Sequence, residues 1–300
     1  MLRRLRRDPK QLIALKRNGV LCTLDPDLGG SLLSLSVDSF ELLRPAPSEP
    51  RDVLDGACFP LVPFANRIAD GTMNFRGRRV VLPADPAAAP HAHHGHGWRR
   101  RWRLVQVTEE TAELEYRHTP DEWPWAYVTT QRVALVDGGA RIDLSITNLS
   151  DEHMPAGLGL HPYFVRHEDD TIETRARTIV SSRDGIPTGE APVVPGERPV
   201  AAVEGMDNLL LDGSGRARLR LGGVRCDLIA SGAVGFHVYV PEGENFFCVE
   251  PVSHPPNAFA ENAEQHALAP GDTRRLVMQL TVNSDLDATG AAAAVAPERG

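Results

Sequence analysis

The sequence predicts an all-β protein, a large antiparallel β-sandwich with few short helices. Three observations carry that prediction. Arg141-Ile142-Asp143-Leu144-Ser145-Ile146-Thr147 alternates polar and apolar residues with the period of a half-buried strand. Turn signals recur between such runs, as Asp137-Gly138-Gly139, Asp212-Gly213 and Gly222-Gly223. No long segment shows the 3.6-residue apolar period of a helix. In chain order, strands are expected at 20–24, 31–37, 79–82, 102–107, 111–118, 126–136, 153–160, 172–181, 216–221, 224–230, 236–240, 246–250 and 274–283. Residues 185–205 hold Gly, Pro and Glu with few large apolars and read as a long surface loop. Residues 287–300, rich in Ala, Gly and Pro, read as a disordered tail, which leaves 1–286 as a single domain.

With 300 residues at 42% hydrophobic content, the chain can bury a large core. A formal net charge of −8, from 32 basic and 40 acidic residues, argues against a nucleic-acid partner. The basic cluster Arg3, Arg4, Arg6, Arg7 and Lys10 is followed by Lys16, Arg17 and Asn18 rather than by the apolar stretch of a signal peptide. No stretch approaches the ~18 apolar residues of a membrane span, so no membrane partner is expected. The four cysteines, Cys22, Cys58, Cys226 and Cys248, are widely spaced, and the simplest expectation is a reduced, cytoplasmic protein. Monomer and homodimer both fit the sequence.

Two segments deliver a titratable side chain from a strand. In Gly157-Leu158-Gly159-Leu160-His161-Pro162-Tyr163-Phe164, residues 157, 159 and 161 share one face, which suggests open space beside the His161 imidazole. Pro162, which cannot donate a ladder hydrogen bond, reads as the end of that strand. In Asn245-Phe246-Phe247-Cys248-Val249-Glu250-Pro251 an apolar strand ends on a carboxylate just before another proline. An acid and a base so presented could work opposite sides of one substrate. A histidine capping a sheet edge and a glutamate emerging into solvent fit the same residues. A third segment, Phe59-Pro60-Leu61-Val62-Pro63-Phe64-Ala65-Asn66-Arg67-Ile68 with Gly71 and Phe75 beyond it, offers amide and guanidinium donors suited to sugar hydroxyls. A fourth is His91-Ala92-His93-His94-Gly95-His96-Gly97-Trp98.

In this order the motifs resemble the aldose 1-epimerase (galactose mutarotase) family: Asn-Arg-Ile-x-x-Gly-x-Phe, a His-Gly motif ending in an aromatic, a histidine with an aromatic two residues on, a lone Asp, and a Glu near the C-terminus. The resemblance spans residues 18 to 283. It implies a galactose mutarotase-like supersandwich with a groove across one sheet, a small-molecule sugar as substrate, and no metal or organic cofactor. By the same resemblance His161 is the general acid that protonates the ring oxygen of a pyranose, and Glu250 is the general base that takes the proton of the anomeric hydroxyl. Ring opening, rotation about C1–C2 and closure on the other face then exchange the anomers. Asn66, Arg67, one of His94 and His96, and Asp207 correspond to sugar-hydroxyl ligands. His94 is preferred over His96 because it directly precedes Gly95. Asp207 in Gly205-Met206-Asp207-Asn208 fits an Asx turn as well. His237 stands where galactose mutarotases carry Gln, and Pro255-Pro256-Asn257 also departs from their pattern, so the resemblance implies the reaction more firmly than galactose as the sugar.

Other readings of these segments remain open at the level of sequence. Four histidines in residues 91–96 could ligate a metal, although the glycines between them and the lack of a nearby Cys or acidic ligand favour a loop that brings one His to a sugar. Trp98, Trp102, Trp123 and Trp125 read mostly as core, and Cys248 as a packing residue beneath the site. Arg67 with Arg99, Arg100, Arg101 and Arg103 could serve a phosphorylated sugar, while the 99–103 arginines equally suit a solvated strand face. A non-catalytic carbohydrate-binding protein on the same sandwich is the alternative from another class.

Overall fold

Hairpins formed by the alternating segments set the frame. In the computed structural model, which describes residues 12–283, Tyr127–Val136 and Gly139–Asn148 pair across the two-residue turn Asp137-Gly138, with Gly138 at φ +72°. Ile142, Leu144 and Ile146 are buried and the residues between them half-exposed, as the alternation requires. Arg216–Leu221 and Val224–Ser231 pair in the same way across Gly222-Gly223.

Two antiparallel sheets enclose the core. One has nine strands in the spatial order Arg103–Val107, Thr111–His118, Tyr127–Val136, Gly139–Asn148, Thr273–Asn283, Val224–Ser231, Arg216–Leu221, Thr171–Thr174, Gly196–Pro199. The other has eleven: Ile13–Arg17, Val20–Asp25, Ser31–Val37, Cys58–Leu61, Gly159–Val165, Phe246–Val252, Gly235–Tyr239, Asp207–Leu211, Thr178–Arg183 and Ile186–Pro192, with Phe40–Leu43 joined to Ser31–Val37. Leu24, Leu32, Leu160, Phe164, Phe247 and Val249 from the second sheet pack into one apolar cluster with Leu114, Val133, Leu144, Leu228 and Leu280 from the first. A smaller cluster of Phe59, Leu61, Trp98, Tyr163, Leu209, Cys248 and Val252 lies on the opposite face of the eleven-stranded sheet. Ala258–Asn262 is the one α-helix among the described residues, and no helix there is long and apolar enough to cross a membrane.

Several boundaries differ from expectation. The segment 153–160 is interrupted: Met154–Pro155 pairs with Ala267–Leu268, and a new strand starts at Gly159. The segment 172–181 splits between the sheets, Thr171–Thr174 in one and Thr178–Arg183 in the other. Residues 185–205 are not a long loop. They form the strands Ile186–Pro192 and Gly196–Pro199 and a 3₁₀ turn at Val200–Val203. The strand Ile-Pro-Thr-Gly-Glu-Ala-Pro has no buried residue, so its extended form comes from pairing with Thr178–Arg183 rather than from any pattern of its own. The expected tail at 287–300 and the basic cluster at 3–10 lie outside the described residues.

Candidate active site

The alternation that buries Leu160 and Phe164 between the sheets turns His161 and Tyr163 to the opposite face, and Phe247 and Val249 do the same for Cys248 and Glu250. The two strands are neighbours. Their register pairs Gly159 with Val252 and Tyr163 with Cys248, which sets His161 opposite Glu250. His161 Nε2 lies 3.3 Å from a Glu250 carboxylate oxygen, and the residues are only 7% and 3% exposed. Neither proline ends its strand, contrary to expectation: the strands run on to Val165 and Val252. Between the two register pairs no ladder pair forms among the described residues. Pro162 and Pro251, which lack a donor, fall in that gap and leave the sheet open beneath the acid–base pair. The two groups thus stand side by side on one sheet face rather than across a substrate from each other.

The next strands out carry the remaining polar groups. His237 pairs in register with Glu250, and its Nε2 lies 2.6 Å from a carboxylate oxygen of Asp207 on Asp207–Leu211. Arg67 approaches the other Asp207 oxygen at 3.6 Å. The loop before Arg67 is held by its own donors and acceptors. Asn66, at φ +58°, donates its backbone N–H to His94 Nδ1 at 3.1 Å, and its side-chain oxygen accepts from the Arg67 N–H at 2.8 Å. The Asn66 amide nitrogen lies 3.3 Å from His237 Nδ1. Because Nδ1 of His94 accepts, its neutral ring carries the proton on Nε2. His161, Glu250, Asn66, Arg67, His94, Asp207 and His237 all line one cavity of about 440 Å³.

His96 does not join them. Its Nε2 lies 2.8 Å from the Tyr127 hydroxyl, its ring packs on His118 with centroids 4.4 Å apart, and it lines an adjoining cavity beside Phe64 and Trp123, which shares the wall of Asp85, His93 and Arg99 with the first. The single residue between His94 and His96, Gly95 at φ +67°, turns the chain so that the two side chains diverge. His93, which sequence reasoning passed over, does line the site cavity. It pairs in register with Arg67 on the two-stranded ribbon Arg67–Ile68/Ala92–His93. Position in a His-Gly motif pointed to His94, and only the ribbon register reveals its neighbour.

Gly157 and Gly159 do not clear space for a ligand. A Cβ on Gly157 would stand 2.1 Å from the His254 ring, and one on Gly159 would stand 2.9 Å from Leu61 and 3.0 Å from Ala65. Both glycines admit packing atoms behind the site. His254 Nδ1–H donates to the Pro255 carbonyl at 2.8 Å while its Nε2 accepts the Ala65 N–H at 3.1 Å, so a buried histidine steadies the segment that carries Asn66 and Arg67. The four tryptophans are buried, as is Cys248.

Burial raises Glu250 to about 8, an effect that the positive side of His237 only partly offsets. Burial, with the nearby His93 and His237, lowers His161 to about 3. Between about pH 3 and pH 8 the pair therefore holds one proton, which in the empty site rests on Glu250, so His161 can act as the acid only after that proton has passed to it across their 3.3 Å contact. Burial also opposes charge on His237 and Asp207, yet their mutual hydrogen bond outweighs it: His237 is raised, and Asp207 is lowered to about 2 with help from Arg67. A His161 ring nitrogen, Cys248 Sγ and a Glu250 oxygen lie within 4.8 Å of one another and are, among the described residues, the set that could touch a metal ion. Burial pushes the thiol well above its ordinary value, which disfavours the thiolate such a site needs. The histidines at 91–96 do not converge: His91 accepts from the Asp70 N–H at 3.0 Å, His93 and His94 face the site, and His96 faces away.

The sequence profile of the family described as aldose 1-epimerase matches residues 11–281. The chain belongs to the aldose 1-epimerase family. It is 29% identical over 274 residues to YphB of Escherichia coli K12, itself uncharacterized, covering 85% of this chain and 93% of that protein. The crystal structure of a candidate aldose 1-epimerase from Escherichia coli K12 superposes with a TM-score of 0.83 at 26% identity, covering 92% of this chain and 99% of that one. A galactose 1-epimerase from Lactobacillus acidophilus shares the fold at a TM-score of 0.77 and 16% identity, covering 94% and 97%. Membership in the aldose 1-epimerase family and the supersandwich architecture are thus independent of the motif reading.

Proposed function

We propose that the protein is an isomerase that interconverts the α and β anomers of an aldose by acid–base ring opening and closure. The observation that carries this reading is the 3.3 Å approach of His161 to Glu250 at the floor of a polar cavity. The ring oxygen and the anomeric hydroxyl are both bonded to C1, so two adjacent groups can reach one each. A proton on His161 serves the ring oxygen while Glu250 accepts that of the anomeric hydroxyl. The opened aldehyde turns about C1–C2, and in closure His161 takes the proton back from O5 while Glu250 returns the proton it took to the aldehyde oxygen. Arg67, Asp207, His237, Asn66 and His94 supply donors and an acceptor for the hydroxyls across the cavity, and His93 stands with them. Galactose is not singled out, because His237 is committed to Asp207 and offers an imidazole where a galactose mutarotase offers an amide.

The test is polarimetry of freshly dissolved α-D-glucose and α-D-galactose. Wild type should accelerate mutarotation of a substrate sugar, and His161→Ala and Glu250→Ala should each lower kcat by roughly 10²–10⁴-fold. A folded protein that binds sugar yet gives no rate above the buffer blank would replace this reading by a carbohydrate-binding one.

A further inference from the structure

The cavity contains a cation that the proposed reaction does not use and that no carboxylate pairs with among the described residues. Three arginines line it. Arg67 is paired with Asp207 at 3.6 Å, and Arg99 with Asp85 at 3.1 Å and Asp52 at 3.7 Å. Arg44 has no carboxylate within 4.0 Å among the described residues. One guanidinium nitrogen donates to the Leu54 and Gly56 carbonyls, at 2.6 and 3.1 Å, which neutralise nothing. Asp55, whose carboxyl the Arg44 charge helps to lower, directs its oxygen to the backbone N–H groups of Arg51 and Asp52 and not to Arg44.

The placement of Arg44 is fixed and close to the chemistry. Its backbone N–H donates to the Tyr163 carbonyl at 2.8 Å. Its guanidinium lies 4.1 Å from the Tyr163 ring centroid and 4.7 Å from that of Phe246. Tyr163 in turn stacks on His161 with centroids 4.7 Å apart, and Phe59 stacks on His161 at 4.6 Å. Arg44 is therefore two contacts from the imidazole assigned to the ring oxygen. That oxygen is bonded to C1, which Glu250 serves, and to C5, which bears the exocyclic carbon of a hexose. With C1 directed to Glu250, the C5 substituent is the part of the sugar left to face Tyr163 and Arg44. A neutral hydroxymethyl group needs one weak donor there. A rigid planar cation with unspent donors suits a carboxylate, phosphate or sulfonate oxygen pair. The charge is also local: the whole chain carries −8.

The geometry points to Arg44 as a specificity residue that selects an aldose bearing an acid group on its C5 side arm. This rests on the epimerase reading above. It differs from a phosphate site built on the 99–103 arginines, since Arg99, Arg100, Arg101 and Arg103 pair with Asp85, Asp121, Asp27 and Glu115.

The experiment compares kcat/KM for D-glucose, D-glucuronate and D-glucose 6-phosphate in wild type, Arg44→Gln and Arg44→Lys, by polarimetry at low and at moderate salt. Wild type should prefer one of the two anionic sugars, and which one identifies the acid group. Arg44→Gln should lower kcat/KM for that sugar by roughly 10- to 100-fold while leaving glucose near wild type, and Arg44→Lys should recover part of the loss. The preference should weaken as salt rises. Equal loss for all three sugars would make Arg44 a structural staple of the 54–56 loop and overturn the inference. So would a wild type that prefers glucose, or an anion preference that Arg44→Gln leaves intact. Turnover of none of the three would overturn the epimerase reading, and this inference with it.

Discussion

Glu250, a carboxyl group only 3% exposed, is held where its charged form is disfavoured. Burial raises Glu250 from 4.5 to about 8. A group raised on folding is fully compatible with the native state below its unfolded value, and its contribution is lost as pH climbs through the folded value. Wild type should therefore lose stability between about pH 4.5 and 8 through this residue, and Glu250→Gln should flatten that part of the curve while abolishing turnover. Thermal denaturation of both proteins at pH 5 and pH 8.5 measures it; parallel curves would contradict the assignment. The same titration should bring down kcat/KM as pH rises through about 8, when the pair loses its shared proton. Asp207→Asn should raise KM more than it lowers kcat, because it releases Arg67 and removes the partner that raises His237. His96→Gln should leave both constants near wild type and lower the melting temperature, its ring being committed to Tyr127 and His118 outside the cavity. At this scale the sequence distinguished the acid and the base by residue type and by the apolar run around each. It preferred His94 to His96 only through the family pattern, since the turn at Gly95 that parts them depends on a backbone angle.

Between residue and molecule, the elements act as mounts. The eleven-stranded sheet supplies His161, Glu250, His237 and Asp207 from adjacent strands, so their spacing follows from register rather than from loop conformation. Asn66, Arg67 and His94 come from a loop and ribbon that are braced from behind by His254. Gly157→Ala would drive a methyl group to within 2.1 Å of that histidine. Displacing His254 strands the buried Ala65 N–H, so the substitution should cost about 2 kcal/mol or more in stability. It should also raise KM while kcat changes less, because the acid and base stand on strands the change does not touch. Urea denaturation and steady-state kinetics of that variant check both halves. Strands with one face in the core were readable: Thr111–His118 lies where alternation set it, and so, within a residue, do Tyr127–Val136 and Thr273–Asn283. Cys58–Leu61, buried at every position, has no alternation to show, and Ile186–Pro192 buries nothing at all. For such strands the neighbour supplies the information, and a single chain read in order does not contain it.

Over the whole molecule the two sheets share one apolar cluster; the proposed acid–base pair stands with His237 and Asp207 on the outer face of one of them, and Asn66, Arg67 and His94 reach the same cavity from a loop and ribbon. The strand-borne part of that site, His161, Glu250, His237 and Asp207, should persist as long as the core does. The core in turn cannot be divided, since Thr171–Thr174 and Thr178–Arg183 carry one short stretch of chain from the first sheet into the second. The expected consequence is a single cooperative unfolding transition for the 12–283 unit, although its length exceeds that of the small domains for which such behaviour is usual. Loss of mutarotation, far-ultraviolet circular dichroism and tryptophan fluorescence should fall on one curve in urea. Trp98 reports from the cluster under the site, and Trp102, Trp123 and Trp125 from the main core, so the fluorescence signal samples both faces of the sheet. An earlier loss of activity with the spectroscopic curves superposed would locate a separately melting part in the loop-borne ligands around Asn66 and Arg67. Separation of the two spectroscopic curves would instead mean that the sheets unfold independently, and that the shared core does not bind them into one unit.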